Sequence, residues 1–249
     1  MRKIMKAIIL AGGFAKRMWP LTKDKPKQLL PVAGKPMLDY ILDKLEQVSD
    51  LEEIYISTNA RFEEQFKEYL ENFKTKKKVF LFIEDTHSEG EKLGSVGALG
   101  FLLREKKIDD ELLVIGGDNL FEFKMQELTD WFYVKSANVL ALYDIGTREK
   151  AKLYGVVEIN SDNEIISFQE KPDVPRSNLV STACYIFTKA GVRNILKYLD
   201  EGNDPDKIGH FIEWLYQHDN VYAFVFSGSW FDIGSFESYD EANQYFSKK

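Results

Sequence analysis

A basic loop that follows a glycine pair is the first segment of this sequence with residue types suited to chemistry. An apolar run at residues 6–11 ends at Gly12 and Gly13. The cations beyond it are Lys16, Arg17, Lys23, Lys25 and Lys27, with Asp24 as the one acid among them. Glycines let backbone N–H groups approach phosphates, and the cations add attraction. The spacing matches neither a Walker A sequence nor GxGxxG. We therefore predict a site for a small phosphorylated ligand, although a glycine pair alone is equally typical of a tight turn.

Two aspartates follow apolar, β-rich runs in distant parts of the chain. Asp118 comes directly after LLVIGG at 112–117, and Asp232 lies in WFDIG at 230–234. In an open α/β sheet, ligands collect at the carboxyl ends of the strands. Two carboxylates, with phosphate oxygens and water, form the oxygen-rich surroundings that Mg²⁺ prefers. Either aspartate alone is equally explained as the cap of a turn.

A third candidate is the acid and base pair Glu170 and Lys171 in the segment FQEKP. A carboxylate can accept hydrogen bonds from two adjacent hydroxyls, and an ammonium binds phosphate as a point charge. Without further context this pair is an ordinary strand end. The three scattered histidines and the single Cys184 form no Ser/His/Asp or Cys/His grouping, so the sequence predicts no protein nucleophile.

The elements that would position these residues change character near residue 137. Apolar runs at 6–11, 53–58, 78–83 and 112–117 are predicted to be buried strands, with helical spacing of apolar residues between them. After residue 137 strands follow one another directly. Helical patterns return at 189–199 and 207–218, and a last amphipathic helix begins at Ser235. The order predicts an α/β fold with a mostly parallel sheet and an antiparallel insertion.

Composition limits the classes of protein and of partner. The 249 residues carry no linker or low-complexity tract, so we expect a single domain over 1–249. A net charge of −7 argues against nucleic acid as the main partner. No apolar run approaches the roughly 20 residues of a membrane span, and one cysteine fits a reducing compartment. We expect a cytoplasmic protein with no membrane partner.

The segment LAGGFAKRMWPLTKDKPKQLLP at 10–31 resembles the LAGGxGTRLxPLTxxxPK signature of sugar-phosphate nucleotidylyltransferases. The continuation KQLLPVAGKPML is similar in sequence to glucose-1-phosphate thymidylyltransferases of the short form, which lack a β-helix domain. Further matches, in order, are LGSVGAL, VIGGDNLF, YGVVEI, FQEKP, VSTACYIF and WFDIGSFESY. The resemblance covers nearly the whole chain. It implies a Rossmann-like three-layer nucleotidyltransferase fold, with nucleotide bound mainly by 1–136 and sugar phosphate mainly by 137–249.

The same resemblance implies a role for each matching position. The partners would be an NTP and a sugar 1-phosphate, the cofactor Mg²⁺, and the assembly a homo-oligomer. Arg17, Lys27, Asp118, Lys171 and Asp232 would be catalytic, and Asp118 and Asp232 would hold the metal. The nucleotide would contact Leu10, Ala11, Gly12, Gly13, Lys16, Arg17, Lys27, Glu84 and Gly94. The sugar phosphate would contact Tyr154, Gly155, Glu170 and Lys171.

Two departures lie within the signature itself. Ala15 and Lys16 stand where the family usually has glycine and threonine. If the glycine of the relatives supplies a turn with positive φ, Ala15 must strain that turn or reshape it. Lys16 either adds a charge toward the phosphates or is a solvated lysine.

Glu84 leaves the identity of the nucleotide base open. In thymidylyl relatives a glutamine at the matching position reads the pyrimidine edge. An ionised carboxylate only accepts hydrogen bonds, so Glu84 favours a donor-rich edge such as guanine or cytosine. That expectation opposes the similarity of the other motifs to thymidylyltransferases, which favours dTTP or UTP with glucose 1-phosphate.

Three alternatives therefore accompany this hypothesis. One is a guanylyl- or cytidylyltransferase acting on mannose 1-phosphate or another phosphorylated alcohol. Another is a catalytically silent regulatory subunit that binds nucleotide sugars, suggested by Ala15 and Lys16. A Rossmann dehydrogenase is disfavoured because no GxGxxG follows the first strand.

Overall fold

The computed structural model describes residues 5–249. The strands are β1 (Met5–Leu10), β2 (Pro31–Val32), β3 (Lys35–Pro36), β4 (Leu51–Asn59), β5 (Lys78–Glu84), β6 (Leu112–Gly116), β7 (Asn119–Phe121), β8 (Asn138–Asp144), β9 (Gly155–Ile159), β10 (Ile165–Glu170), β11 (Leu179–Phe187), β12 (Val221–Phe226) and β13 (Trp230–Asp232). The helices are α1 (Met37–Glu46), α2 (Glu63–Asn72), α3 (Ser95–Lys106), α4 (Met125–Lys135), α5 (Arg148–Ala151), α6 (Lys189–Asp200), α7 (Ile208–Leu215) and α8 (Phe236–Phe246). A short 3₁₀ helix covers Lys16–Met18.

The main sheet has nine strands, and its longest path runs β10-β9-β11-β6-β1-β4-β5. The neighbours β6, β1, β4 and β5 are parallel. Strand β11 pairs antiparallel with β6, β8 and β9, and β12 lies parallel to β8. The predicted α/β fold, with a parallel sheet and antiparallel strands in the second half, is confirmed.

Alternate residues of the central strands face two separate helical layers. Ile9 packs in one cluster with side chains of α1, α2 and α4, whereas Ile8 packs in a second cluster with α3, α6 and α7. Successive side chains of a strand point to opposite faces, so β1 is covered on both sides. The three layers leave the carboxyl ends of the parallel strands as the open edge.

Local sequence explains where the last helix begins. Ser235 accepts a hydrogen bond from the backbone N–H of Ser238 and forms a capping box with it, so α8 begins where the sequence predicts. No helix within residues 5–249 is long and apolar enough to cross a membrane.

Candidate functional site

Two parallel strands end side by side and place Asp118 next to the glycine pair. Leu10 at the end of β1 is in register with Gly116 at the end of β6. The N–H of Gly117 donates to the carbonyl of Leu10 at 2.9 Å. A Cβ on Gly117 would lie 2.8 Å from that carbonyl oxygen, so only glycine fits this close approach. The residue that follows, Asp118, therefore emerges at the open edge.

Asp232 reaches the same edge through a two-stranded ribbon. Strand β13 pairs antiparallel with β7, and Asp232 is in register with Asn119. The N–H of Ile233 donates to the carbonyl of Asp118 at 3.0 Å. Asn119 donates to Asp118 Oδ1 at 2.8 Å and accepts from Trp230 Nε1 at 2.8 Å. The two aspartates, distant in sequence, are thus brought together.

Lys27 binds one of these carboxylates directly. Its Nζ lies 2.6 Å from Asp118 Oδ2, and the lysine side chain is buried. Burial by itself would raise the pKa of Asp118, but attraction and hydrogen bonding to Lys27 outweigh burial and lower that pKa. Asp118 is therefore held in its ionised form.

Asp232 is in the opposite electrostatic situation. Burial, and then the negative charge of Asp118, raise the pKa of Asp232 to about 6. The positive charges of Lys27, Arg17 and Lys171 oppose this rise, so these three cations lie within electrostatic reach of Asp232. Predicted catalytic residues from four separate segments are thereby assembled at one place.

The donor set of this pair suits a hard divalent cation. The two carboxylates repel each other, and this repulsion, which together with burial raises the pKa of Asp232, would be relieved by a cation bound near both. No group of three or more His, Cys, Asp or Glu side chains that could hold a metal occurs within residues 5–249. Remaining oxygen ligands would therefore come from substrate phosphates and water, as is usual for Mg²⁺.

A cavity of about 520 Å³ opens beside Asp118. The predicted nucleotide residues that line it are Leu10, Gly12, Gly13, Lys16, Arg17, Lys27, Glu84 and Gly94. Ala11 is buried and does not line the cavity, and its N–H donates to Ser57. The structure thus brings together all but one of the predicted nucleotide contacts.

Glu84 forms part of the wall of this cavity at the end of β5. It is only 4% exposed, and its carboxylate accepts a hydrogen bond from Ser57 Oγ at 2.9 Å. A Cβ on Gly12 would lie 2.5 Å from Glu84 Oε1, so a side chain there would displace the Glu84 carboxylate. Burial raises the pKa of Glu84, and the Ser57 hydroxyl only partly opposes the rise. Burial therefore favours the neutral acid at this position.

Ala15 keeps the left-handed turn that its family counterpart would supply. Its backbone has φ 46° and ψ 41°, directly before the 3₁₀ helix Lys16–Met18. Thr22 Oγ1 and the N–H of Met18 both donate to the Ala15 carbonyl, at 2.8 and 2.9 Å. These contacts hold a conformation that costs an alanine about 1–2 kcal/mol. Of the two expected outcomes, the turn is strained and not reshaped.

A second cavity of about 240 Å³ adjoins the first. It is lined by Gly155 and Glu170 of the predicted sugar-phosphate set, and both cavities share Ser95 and Asp206. Gly155 has no room for a side chain, because a Cβ there would lie 2.4 Å from Phe168. The adjoining position of the two cavities suits two substrates that react with each other.

Tyr154 and Lys171 of the predicted sugar-phosphate set line neither of these two cavities. The N–H of Lys171 donates to the carbonyl of Tyr154 at 3.1 Å, and Lys171 has φ 49°. The Tyr154 ring contacts the Trp230 ring, with centroids 5.0 Å apart. The positive charge of Lys171 opposes the rise in the pKa of Asp232, so the lysine lies within electrostatic reach of the aspartate pair.

Several cavity residues escape prediction from sequence. Gln28 lines the larger cavity, and its buried Oε1 has no hydrogen-bond partner among the described residues. Asp206 lines both cavities and pairs with Lys92 at 3.1 Å. Gly209 lines the smaller one, and a Cβ there would lie 2.0 Å from Glu170 Oε2. The only signal for Gln28 was its position next to Lys27.

Comparison with known proteins identifies the family. The family described as nucleotidyl transferase matches residues 6–249, which is nearly the whole chain. The chain belongs to this nucleotidyl transferase family. The resemblance to sugar-phosphate nucleotidylyltransferases is thereby confirmed.

The relatives of this nucleotidyltransferase carry several different names. The bifunctional protein GlmU of Methanocaldococcus jannaschii is 33% identical over 97% of the chain and 54% of its own length. A protein of Sulfolobus acidocaldarius assigned as a mannose-1-phosphate guanyltransferase is 32% identical over 96% of the chain and 62% of its own length. The chain therefore spans little more than half the length of these relatives.

Solved structures show the same fold. A Bacillus anthracis protein assigned as a glucose-1-phosphate thymidylyltransferase, in complex with sucrose, has a TM-score of 0.84 at 26% identity, covering 98% of this chain and 96% of that one. A UDP-glucose pyrophosphorylase with UDP-glucose has a TM-score of 0.81 at 23% identity, covering 99% of this chain and 100% of that one. Because the identity is only 23%, the second comparison supports the shared fold alone.

Proposed function

We propose that this chain transfers a nucleotidyl group from an NTP to a sugar 1-phosphate, giving an NDP-sugar and pyrophosphate. The observation that carries the proposal is the meeting of Asp118 and Asp232 with Lys27, Arg17 and Lys171. Arg17, Lys27 and Asp118 of this cluster line the cavity walled by the glycine pair, which adjoins another cavity walled by Glu170. Family membership supports the same class of reaction.

The residues present fit Mg²⁺, and Asp118 and Asp232 would hold it. When bound, the ion supplies neutralisation of charge on the phosphate oxygens. In the reaction, an oxygen of the sugar phosphate forms a bond to the α-phosphorus, and the bond from that phosphorus to the leaving pyrophosphate breaks. No protein nucleophile is needed for this displacement.

The chain's own residues would orient two anions and reduce their repulsion. Lys16 and Arg17 lie at the exposed mouth of the larger cavity, where they would bind the triphosphate. Lys171 would hold the sugar phosphate as a point charge, and Glu170 would accept from sugar hydroxyls. Orientation and charge neutralisation are the main contributions available to an enzyme of this class.

For the base, we propose a pyrimidine, with dTTP or UTP and glucose 1-phosphate as the favoured pair. Neutral Glu84 would present one O–H donor and one acceptor, which complements the carbonyl and N3–H of thymine or uracil. Burial without a neighbouring cation favours that neutral form. The similarity of the sequence motifs to thymidylyltransferases also supports a pyrimidine base.

A second candidate is GTP with mannose 1-phosphate. It is favoured if Glu84 is ionised in the complex, because guanine offers two N–H donors to a carboxylate. The name of the Sulfolobus acidocaldarius relative supports it. Cytosine is the weaker match to the ionised form, with one amino group.

A pyrophosphate-release assay tests the proposal directly. The chain is incubated with each of dTTP, UTP, GTP, CTP and ATP against glucose, mannose and N-acetylglucosamine 1-phosphates, with and without Mg²⁺. Release that requires both substrates and the ion is expected. Tight binding of nucleotide sugars without release for any pair would instead support a regulatory subunit.

A further inference from the structure

Strand β5 forms one end of the main sheet, and within residues 5–249 no strand pairs with its outer side. Its sequence is KVFLFIE, an apolar run with a charge only at each end. The outer backbone groups of such a strand are free to pair with another chain. Glu84 ends this strand, so the edge leads directly to the wall of the larger cavity.

The face of β5 toward α3 exposes aromatic surface next to this edge. Phe80 is 40% exposed and Phe101 is 37% exposed. Phe80 stacks on Tyr55 at 5.2 Å, and Phe101 meets Phe82 edge to face at 5.2 Å. An apolar patch contiguous with an unpaired strand edge is a typical protein-binding surface.

The charges flanking β5 are opposite at its two ends. Exposed Lys74, Lys76 and Lys78 lie at its amino end, where Lys78 also pairs with Glu52 at 2.9 Å, and exposed Asp85 and Glu91 lie at its carboxyl end. A second β5 in antiparallel orientation would bring the lysine end of one copy to the acidic end of the other. A parallel copy would align like charges, which is unfavourable.

We infer that β5 pairs antiparallel with β5 of a second copy of this chain, joining two sheets across a two-fold axis. Such an interface is self-complementary, as closed dimers require. With Leu81 at the axis, Phe80 of each copy lies opposite Phe82 of the other on the same face of the joined sheet. The backbone hydrogen bonds and the shared aromatic surface would then stabilise the pair together.

Cross-linking at the axis tests this arrangement. Opposed residues of an antiparallel pair have Cα atoms about 4.5–5.5 Å apart, within the range of a disulfide. We expect Leu81→Cys to give a covalent dimer on mild oxidation in non-reducing gels, since the native Cys184 is buried. The matched control is Ile166→Cys, which is 57% exposed on β10 at the opposite end of the sheet and should remain monomeric in the same gel.

Sedimentation of the unmodified chain and of charge variants gives an independent readout. We expect a concentration-dependent dimer whose Kd rises at least about tenfold in Asp85→Lys, because the change brings a like charge to the lysine end of the other copy. Lys150→Glu on α5 is the charge control and should leave the Kd unchanged. A monomer at all concentrations, or cross-linking through Ile166→Cys and not through Leu81→Cys, would overturn the inference.

Discussion

Lys27 Nζ lies 2.6 Å from Asp118 Oδ2, and this contact joins the basic loop to the end of β6. The loop carries the cations, and the strand end carries Asp118, beside which the β13–β7 ribbon places Asp232. Because the lysine is buried, the contact is little screened by solvent. Lys27 therefore fixes the ionisation and the position of Asp118 at the same time.

Replacing this lysine should damage turnover more than substrate binding. In Lys27→Met, Asp118 loses the charge that lowers its pKa, and the triphosphate loses a cation. We expect kcat to fall by roughly 100-fold or more, with a smaller change in KM. Steady-state kinetics check this, with Lys25→Met as the control, because Lys25 is exposed and lines neither cavity. Equal losses in both variants would show a general effect of loop charge.

The strained turn at Ala15 predicts a stabilising substitution. Ala15→Gly removes a left-handed alanine but adds freedom to the unfolded chain, so the net gain in unfolding free energy should be about 0.5–1 kcal/mol. Urea denaturation measures it. Ala190→Gly in α6, an exposed helical position, should lose about 0.5–1 kcal/mol in the same assay. A loss of stability in Ala15→Gly would mean that the turn carries no strain.

Base selection should respond to Glu84. Glu84→Gln fixes a donor and an acceptor at all pH values, whereas Glu84 loses its proton as the pH rises through its raised pKa. With dTTP or UTP, we expect KM of the native chain to increase with pH and KM of the variant to stay constant. With GTP, we expect the KM of the native chain to decrease as the pH rises. A pH profile of KM for each nucleotide checks both, and identical profiles in the two proteins would remove Glu84 from base recognition.

Stability in the absence of divalent cations should depend on Asp232. Its pKa rises from 3.8 to about 6 on folding, so the folded state holds this proton more tightly than the unfolded chain. The fold therefore loses stability as the pH rises through that window. We expect unfolding free energies of the native chain to fall relative to Asp232→Asn between about pH 4 and pH 6. Parallel curves for the two proteins would contradict the raised pKa.

The sequence predicts most of this site for a simple physical reason. Glycines after β1 and an aspartate after β6 lie at carboxyl ends of parallel strands, and such ends converge in an α/β sheet. The family resemblance added the metal-binding role expected of Asp232 and the phosphate-binding role expected of Lys171. The positive φ of Ala15 was likewise expected, because this residue aligns with a glycine of the family signature.

Other parts of the site depend on contacts that have no local signal. The β13–β7 ribbon forms between segments distant in sequence, and no periodicity indicates which strand Asp232 joins. Asp206 reaches both cavities because its loop packs on Gly94, where a Cβ would lie 2.3 Å from the Asp206 Cα. Gln28 faces the cavity from a short 3₁₀ helix, Lys27–Leu29, and not from the end of a strand.

Pyrophosphate release as a function of Mg²⁺ concentration, in the native chain and in Asp118→Asn and Asp232→Asn, tests the central claim most directly. We predict release that saturates with Mg²⁺ in the native chain and falls about a thousandfold or more in each variant. Asp173→Asn, an exposed change outside both cavities, should behave as the native chain. Near-native release in either Asp118→Asn or Asp232→Asn, with the same dependence on Mg²⁺, would contradict the claim that these two carboxylates hold the metal.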